Sequence, residues 1–397
     1  MKNNFTITTA SRLGEVKEYY FSVKLKEIAA LNLAGKKILN LGIGSPDLPP
    51  HPSVLESLRE QIVQTDVHGY QSYAGIPELR KAIANWYQKF FKVEIDPDQE
   101  VLPLIGSKEG LMHIAMTYLE PGDEVLIPNP GYPAYQAVSK LTGADLRFYD
   151  LEENNNWLPN LDQLATQDLS KVKIMWVNYP NMPTGTSASR EFLEALIAFG
   201  KVHQILIVND NPYTFILNED YKSIMAVEGA KEVAIELNSL SKSHNMAGWR
   251  VGLLVGDGLR IKEIIRFKSN MDSGMFRPIQ MAAAVALDLE EDWYRDINKI
   301  YLERRKIVFE ILKVLNCSFD EKQNGMFVWA KIPNKESNGF DFSDAILNHA
   351  RVFVTPGGIF GSNGDRFIRI SLCSGKEVFE EALNRVEQSK ENLFKEA

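Results

Sequence analysis

The sequence predicts an α/β fold: a large three-layer domain, in which helices cover both faces of a mostly parallel sheet, and a smaller α+β domain. In the middle of the chain, short apolar runs rich in β-branched residues alternate with segments of helical periodicity. Such uninterrupted runs are typical of parallel strands that are buried on both faces. The flanking segments, before about residue 50 and after about residue 280, instead combine long helical stretches with shorter strands.

The strands of the large domain are predicted at residues 101–105, 124–127, 173–177, 205–208, 233–237 and 251–255. Helices are predicted between them at 110–118, 132–141 and 190–200. In the flanks, the pattern predicts helices at 16–32 and 278–315 and strands at 326–330 and 367–372. The predicted division is an N-terminal arm with part of the small domain (1–49), a large ligand-binding domain (50–280) and a C-terminal small domain (281–397).

Composition excludes several classes of protein. Apolar residues make up 45% and charged residues 24% of the 397 residues, as in ordinary globular chains. No apolar run approaches the roughly 18–20 residues that span a bilayer, and the N-terminal segment is too polar for a signal peptide. Cys317 and Cys373 are too few for a disulfide framework, which indicates a cytoplasmic protein. The net charge of −8 argues against nucleic-acid binding and leaves a small molecule as the expected partner.

Ligands of parallel sheets bind beyond the carboxyl ends of the strands, so the residues that follow each strand are the first candidates. After the first strand, Gly106, Ser107 and Lys108 open a helix. Free backbone N–H groups and the positive end of the helix dipole make such a turn a seat for phosphate. An ordinary helix start with a solvated lysine is the alternative.

Later strand ends carry an aromatic ring, amides and a carboxylate. Tyr132 follows the second strand and can stack on a planar ring, although a buried structural tyrosine is the alternative. Asn178 and Asn181 lie in a loop rich in turn-forming residues, which turn chemistry alone can explain. Asp210 lies two residues beyond the strand at 205–208, where a carboxylate needs a cation or donors; an Asp turn before a proline is the alternative.

The last group surrounds a lysine. Lys242 follows the strand at 233–237, with Ser239 and Ser241 just before it and Arg250 eight residues later. A lysine sheltered from water can have a lowered pKa and act as an amine nucleophile. The two hydroxyls and the arginine can hold a phosphate. A surface loop with a solvated lysine is the alternative.

Each feature alone is weak, but together they describe one ligand. A phosphate seat, a ring stacker, a carboxylate and a lysine at one sheet edge suit a flat cofactor that carries a phosphate and an aldehyde. Pyridoxal phosphate (PLP) meets this description, because its aldehyde forms an imine with a lysine and its ring nitrogen needs a carboxylate partner. The six histidines show no metal-ligand spacing, so no metal is expected.

The chain resembles the class I/II aminotransferases of the fold-type I PLP enzymes from about residue 12 to about residue 386. The motifs that carry the resemblance are Ser-Leu-Ser-Lys (239–242) with Gly-Trp-Arg (248–250), Asp-Asn-Pro-Tyr (210–213) and Pro-Asn-Met-Pro-Thr-Gly (180–185). The resemblance implies that Lys242 forms the imine and shuttles the proton. It implies that Asp210 faces the pyridine nitrogen and that Tyr213 bonds the phenolic oxygen. The phosphate cup is then formed by Gly106, Ser107, Lys108, Ser239, Ser241 and Arg250, and Tyr132 stacks on the ring.

The resemblance also implies how substrate and partner bind. Arg369 resembles the arginine that grips the substrate α-carboxylate, and Gly44 resembles a backbone contact to the same group. Tyr70 resembles the tyrosine that reaches the phosphate of the neighbouring subunit, which implies a homodimer with shared active sites. The stretch from Ser269 to Ser273 approaches the partner's site in relatives.

One position departs from the family pattern. The family usually has asparagine directly before Pro-Thr-Gly, where it bonds the phenolic oxygen of the cofactor, but this chain has Met182. Either Asn181 or Asn178 replaces that bond, or a donor is lost; we expect Asn181 to replace it and to contact substrate.

The predicted function is therefore a PLP-dependent aminotransferase that moves the amino group of an L-amino acid to a 2-oxo acid, in a ping-pong cycle through a Lys242 imine. A C–S β-lyase on the same fold is the first alternative, because the same residues serve both reactions. A non-catalytic PLP-binding regulator is the second, but such regulators carry a preceding DNA-binding domain for which this sequence leaves no room. The identity of the amino acid is not predicted.

Overall fold

The computed structural model describes residues 7–395. Its strands, in chain order, are β1 (Leu39–Asn40), β2 (Val101–Leu104), β3 (Glu124–Asn129), β4 (Asp145–Asp150), β5 (Val172–Val177), β6 (Leu206–Asp210), β7 (Ala234–Ser239), β8 (Gly252–Gly256), β9 (Ser318–Phe319), β10 (Phe327–Lys331), β11 (Val352–Phe353), β12 (Thr355–Pro356) and β13 (Phe367–Ser371).

The α-helices of the same residues are α1 (Ser11–Gly14), α2 (Tyr20–Leu33), α3 (Pro52–Ile62), α4 (Pro77–Phe91), α5 (Ser107–Tyr118), α6 (Pro133–Thr142), α7 (Leu161–Ala165), α8 (Arg190–His203), α9 (Ala230–Val233), α10 (Leu240–Ser243), α11 (Gly258–Lys268), α12 (Arg277–Leu287), α13 (Glu291–Val314), α14 (Gly339–Ala350) and α15 (Lys376–Lys395). Across residues 7–395, every helix is too short or too polar to cross a membrane.

The central sheet has seven strands in the order β2-β8-β7-β6-β5-β3-β4. Strands β3 to β7 pair in parallel, whereas β8 is antiparallel to both of its neighbours. The carboxyl ends of β2, β3, β5, β6 and β7 therefore meet at one edge, where β8 begins. This topology brings together the polar residues that follow the strands.

Helices cover both faces of this sheet. Alternate residues of β5 point to opposite sides: Ile174 and Trp176 pack with α5, α6 and α11, while Met175 and Val177 pack with α4, α8 and α12. This alternation is the period of two that a strand imposes on its side chains. The αβα layering and the mostly parallel sheet confirm the predicted fold class.

A second body surrounds its own core. It contains the sheet β12-β13-β10-β9, the parallel pair β1-β11 and helices α13 to α15. Leu41 from the N-terminal part packs in this core with Val328 and Ile370. The predicted boundary at 280/281 falls inside α12, which packs against α3 and α4, and the division into domains stays a prediction.

Several predicted elements differ from the structure. The sequence pattern does not predict β4, because it is an edge strand whose exposed positions carry charges such as Asp145 and Asp150. The single helix predicted at 278–315 is wrong: it is two helices, α12 and α13, separated where Glu290 adopts an extended backbone. Helix α2 begins at Tyr20, four residues later than predicted, and α9 occupies the position where the strand at 233 is expected to start.

Candidate active site

A cavity of about 600 Å³ opens where the carboxyl edge of the central sheet faces the second body. Strand ends, the start of α2 and strands β10 and β13 all contribute to its wall. The wall includes these residues that the sequence predicted: Gly44, Ser107, Lys108, Tyr132, Asp210, Tyr213, Ser239, Ser241, Lys242, Arg250 and Arg369.

One corner of the cavity is built to hold an anion. Gly106 caps α5 with φ at +83°, and a Cβ atom there would collide with Nη2 of Arg250. Arg250 itself has a left-handed backbone, with φ at +57°, which is uncommon for a residue with a side chain. Its Nη1 lies 3.4 Å from Oγ of Ser241, and Ser239 caps α10 by accepting a hydrogen bond from Ser241 N. The glycine thus lets the arginine reach the start of α5.

Lys108 adds a second cation to this corner. Burial and, after it, the charge of Arg250 lower the pKa of Lys108. The Nζ atom of Lys108 also lies 4.9 Å from the ring centroid of Tyr19. A bound dianion would remove the repulsion between the two cations and would meet the positive end of the α5 dipole.

Asp210 lies at the end of β6 and is only 4% exposed. The hydroxyl of Tyr135 donates to its Oδ2 at 3.0 Å, whereas its Oδ1 has no hydrogen-bond partner. Burial raises the pKa of Asp210 to about 7, although the bond from Tyr135 opposes this. The sequence did not predict Tyr135; its position three residues after Tyr132, the residue that caps α6, was the available signal.

Two tyrosines flank the carboxylate. Tyr132 lines the cavity and meets Tyr135 edge-on, with ring centroids 5.5 Å apart. Tyr213 is buried beside Phe327, and burial raises its pKa. Its hydroxyl therefore stays protonated at neutral pH and is available as a hydrogen-bond donor.

Lys242 lies on the short helix α10 and is half-buried. Its Nζ donates to the carbonyl oxygen of Gly44, which follows β1. Burial lowers the pKa of Lys242, and the charges of Arg369 and Arg250 act in the same direction. The amine is therefore neutral more often than that of an exposed lysine, as a nucleophile or base requires.

Arg369 is a buried arginine on β13, opposite Trp329 of β10. Its Nη2 donates to Gly42 O at 2.9 Å, its Nη1 lies 3.1 Å from Sδ of Met182, and its Nε has no hydrogen-bond partner. Its Cζ is 3.9 Å from the ring centroid of Phe327. Burial lowers the pKa of Arg369 to about 10. A buried guanidinium in such surroundings favours a planar anionic ligand.

Three predicted residues lie outside the cavity wall. Gly106 is buried in the turn behind it. Asn181 is buried in its loop, where its Nδ2 donates to Asn178 O at 3.2 Å and its Oδ1 accepts from the Thr184 hydroxyl at 2.9 Å. This placement does not support the expected role of Asn181. Tyr70 is 94% exposed, so within one chain it takes no part in the cavity.

Asn178 and Met182 do line the cavity. The side chain of Asn178 is already engaged, because its Nδ2 donates to Asp210 O and its Oδ1 accepts from Met182 N. Within the described residues, the structure therefore shows no free amide at the place where the family asparagine would lie.

A second polar cluster lies behind α5. His113 is fully buried, with its Nε2 3.0 Å from Oε1 of Glu109 and 3.8 Å from Oδ2 of Asp272. The spacing of four residues between Glu109 and His113 puts both on one helix face, a signal that the sequence interpretation passed over. Lys268 already pairs with Asp272 at 2.5 Å, so an ammonium compensates the carboxylates.

The family model for aminotransferase class I and II matches residues 36–386. The chain belongs to this family. This aminotransferase is 39% identical over 379 residues to an LL-diaminopimelate aminotransferase of Dehalococcoides mccartyi, with 95% of this chain and 97% of the relative covered. It is 40% identical over 380 residues to the enzyme of the same name from Maridesulfovibrio salexigens, with 95% and 98% covered.

The chain is also similar in structure to a solved protein. The substrate-bound BacF structure from Bacillus subtilis superposes with a TM-score of 0.92 at 36% identity, covering 96% of this chain and 98% of that one. This protein is thus a PLP-dependent aminotransferase of fold type I. The comparisons support neither the β-lyase nor the regulator alternative.

The residues present fit PLP. The unpartnered Oδ1 of Asp210 suits a protonated ring nitrogen, and the turn at Gly106, which a Cβ atom would fill, leaves room for a phosphate beside Arg250. Arg369 is not needed for the phosphate and is available to bind a second anionic group.

Proposed function

We propose that this aminotransferase exchanges an amino group between an L-amino acid and a 2-oxo acid in two half-reactions, with Lys242 as the proton carrier. One observation carries the proposal: a lysine amine of lowered pKa shares a cavity with a buried carboxylate that lacks one donor and a buried arginine whose Nε is free. Those are the groups that a PLP-dependent proton transfer needs.

The roles of the residues follow from their positions. Bound PLP supplies an aldehyde that condenses with amines and a ring that accepts an electron pair. The amine of Lys242 removes the substrate α-proton and returns a proton as the conjugate acid. Asp210 keeps the ring nitrogen protonated through its free Oδ1, and the Tyr213 hydroxyl donates a hydrogen bond to the phenolic oxygen. Arg369 orients the substrate by gripping its α-carboxylate, next to the backbone of Gly44.

The phosphate of bound PLP would lie in the corner formed by the Gly106 turn and by Ser107, Lys108, Ser239, Ser241 and Arg250, and Tyr132 would stack on the ring. We assign no cofactor bond to Asn181, since its amide is engaged within its own loop.

The first test is the visible absorption spectrum of the purified protein with PLP, followed by additions of L-amino acids in small pools that include LL-diaminopimelate. We expect a yellow band that one pool bleaches and that a 2-oxo acid restores. A band that no pool bleaches contradicts transamination. Release of ammonia and a 2-oxo acid without an acceptor would instead identify a lyase.

Replacement of Lys242 tests its role directly. We expect Lys242→Ala to bind PLP but to lose about 10³-fold or more in turnover, because the variant lacks the amine that removes the substrate α-proton. Lys299→Ala, an exposed lysine on α13, is the matched control and should keep full activity. Normal turnover by Lys242→Ala would exclude the mechanism.

We further propose a homodimer in which Tyr70, exposed in one chain, completes the phosphate site of the partner. The variants Lys242→Ala and Tyr70→Ala should each be inactive. When they are mixed in equal amounts and exchange subunits, activity should recover to about a quarter of that of the native protein. Half of the dimers are then mixed, and each mixed dimer has one complete site out of two. No recovery from dimers shown to be mixed would contradict shared sites.

A cytoplasmic location is proposed on the basis of Cys317 and Cys373, which are both free and buried. Cell fractionation with an antibody to the protein tests it, and recovery outside the cytoplasmic fraction would contradict it.

A further inference from the structure

Part of the wall of the active-site cavity is apolar. Helix α2 and the turn before it contribute Tyr19, Phe21 and Leu25, and other segments add three more residues. We call this part of the wall the apolar collar; its members are Tyr19, Phe21, Leu25, Ile43, Met182 and Phe360. Two of the collar rings also face the arginine that is assigned to the α-carboxylate: the Cζ of Arg369 lies 4.7 Å from the ring centroid of Phe360 and 5.6 Å from that of Phe21. A substrate held by this arginine therefore meets the collar.

The charged side chains of the cavity wall already have assigned partners. Within residues 7–395, those side chains are Lys108, Asp210, Lys242, Arg250 and Arg369. Lys108 and Arg250 are assigned to the phosphate and Asp210 to the ring nitrogen. Lys242 is assigned to the proton transfer and Arg369 to the substrate α-carboxylate. Within one chain, the described wall thus leaves no charged group for the distal end of a substrate.

The charged side chains of α2 that could approach the cavity already form ion pairs with other residues. Lys24 pairs with Glu27 at 2.9 Å and with Asp344 at 3.2 Å, on the side of the helix that faces α14. Lys26 pairs with Glu18 at 2.7 Å, and the same carboxylate accepts the hydroxyl of Ser22, also at 2.7 Å. Ser22 is the one residue of α2 that adds a hydroxyl to the described cavity wall, and this hydroxyl already donates its hydrogen bond to Glu18.

We propose that this aminotransferase acts on amino acids with large apolar side chains, aromatic ones above all. The proposal rests on the proposed function, because it assumes that Arg369 holds the α-carboxylate. A side chain that ends in an ammonium and a carboxylate would lose its hydration against the collar without gaining a charged partner from the same chain, which is costly. An aromatic side chain instead buries apolar surface against rings and a thioether.

The test compares amino donors in single-turnover bleaching of the PLP band. L-Phenylalanine, L-methionine and L-leucine represent the apolar class, and LL-diaminopimelate, L-aspartate and L-glutamate represent the charged class. We expect kcat/KM to be at least about 10-fold higher for L-phenylalanine than for any charged donor. Equal or faster bleaching by a charged donor would overturn the proposal. Failure of every donor would instead overturn the proposed function.

Two substitutions on α2 separate a specificity role from a structural one. Leu25 lines the collar and is 42% exposed, while Leu33 lies on the same helix, is 91% exposed and is absent from the wall. We expect Leu25→Ala to lower kcat/KM for L-phenylalanine about 10-fold, mainly through KM, and to lower it much less for L-alanine, since alanine does not reach the collar. Leu33→Ala should change neither. An equal loss for both amino acids, or no loss for phenylalanine, would contradict the role of the collar.

Discussion

At the scale of single residues, the main feature of the site is that its buried polar groups are only partly satisfied. Asp210 has one oxygen bonded to Tyr135 and one free, and Arg369 has a free Nε. Buried polar groups are almost always paired in folded proteins, so these two atoms indicate where ligands bind. Their free energy of desolvation is recovered only when cofactor and substrate are bound.

Replacement of Asp210 by asparagine should separate binding from catalysis. The amide would keep the size of the side chain but could not hold a positive charge on the ring nitrogen. We expect Asp210→Asn to bind PLP and to lose about 10²–10³-fold in kcat, measured by steady-state kinetics. Asp145→Asn, at an exposed position of β4, is the control. Retention of full kcat by Asp210→Asn would rule out the assigned role.

At the scale of elements, the site depends on turns that follow strands. The turn between β2 and α5 works because Gly106 adopts a positive φ and has no side chain, so that Arg250 can approach it. Helix α10 begins directly after β7 and presents Lys242 within its single turn. Short connections between rigid strands and helices fix these side chains more firmly than long loops would.

The Gly106 turn can be tested with a matched pair. Gly106→Ala adds a Cβ atom that would collide with Arg250, whereas Gly35→Ala has nearly the same φ, +81°, and nothing within 4 Å. Both should lose about 1–2 kcal/mol of stability from the left-handed backbone. Only Gly106→Ala should weaken PLP binding, by about 10-fold or more, in a fluorescence titration. Equal PLP affinities for the two variants would disprove the role of the turn.

His244, at the end of α10, is expected to make the protein sensitive to acid. It is buried between Ser243 and Tyr294, and burial lowers its pKa to about 3. Below about pH 6.5 the unfolded chain protonates this histidine while the folded chain does not, so stability falls as the pH drops from about 6.5 towards 3. The loss from this group at pH 5 is about 2 kcal/mol.

Urea denaturation at neutral pH and at about pH 5 measures this effect. His244→Gln should be less stable than the native protein at neutral pH but should lose about 2 kcal/mol less on going to the acidic buffer. Parallel pH profiles for the two proteins would contradict the assignment. Because Asp210 titrates in the same range, the difference between the two proteins is the informative quantity.

At the scale of the whole molecule, one partly buried ion pair joins distant parts of the chain. Arg304 of α13 is 3% exposed and binds both carboxylate oxygens of Asp47 at 2.7 Å, and it also donates to Leu372 O at 2.9 Å. Asp47 follows Gly44 in the loop that receives Lys242. The pair therefore ties the N-terminal loop to α13 and to Leu372 of the second body.

Removal of this pair should destabilise the protein and disturb the site together. We expect Asp47→Asn to lower the free energy of unfolding by about 3 kcal/mol, since it leaves a buried arginine without its anion. KM should rise as Gly44 loses its position. Asp296→Asn, which breaks an exposed pair with Lys299, should change stability by less than about 1 kcal/mol. Equal stabilities in urea for the two variants would refute the role of the pair.

The amino-acid sequence was sufficient to predict the fold class, the family and every charged residue of the described cavity wall. It could do so because strand and helix periodicities are local, and because the chemistry of Lys242, Asp210 and Arg369 lies in short motifs at strand ends. The edge strand β4 was not predicted, because charged residues at its exposed positions interrupt the apolar pattern that indicates a strand.

Which side chains are free to act depends on tertiary contacts. Asn181 looked available in the sequence, but its bonds to Asn178 and Thr184 form only when the loop folds. Tyr135, the apolar collar and the pair between Asp47 and Arg304 depend on contacts between residues far apart in the chain, such as the 257 positions that separate the last two. Burial and hydrogen-bond partners are properties of packed neighbours, and a linear pattern does not contain them.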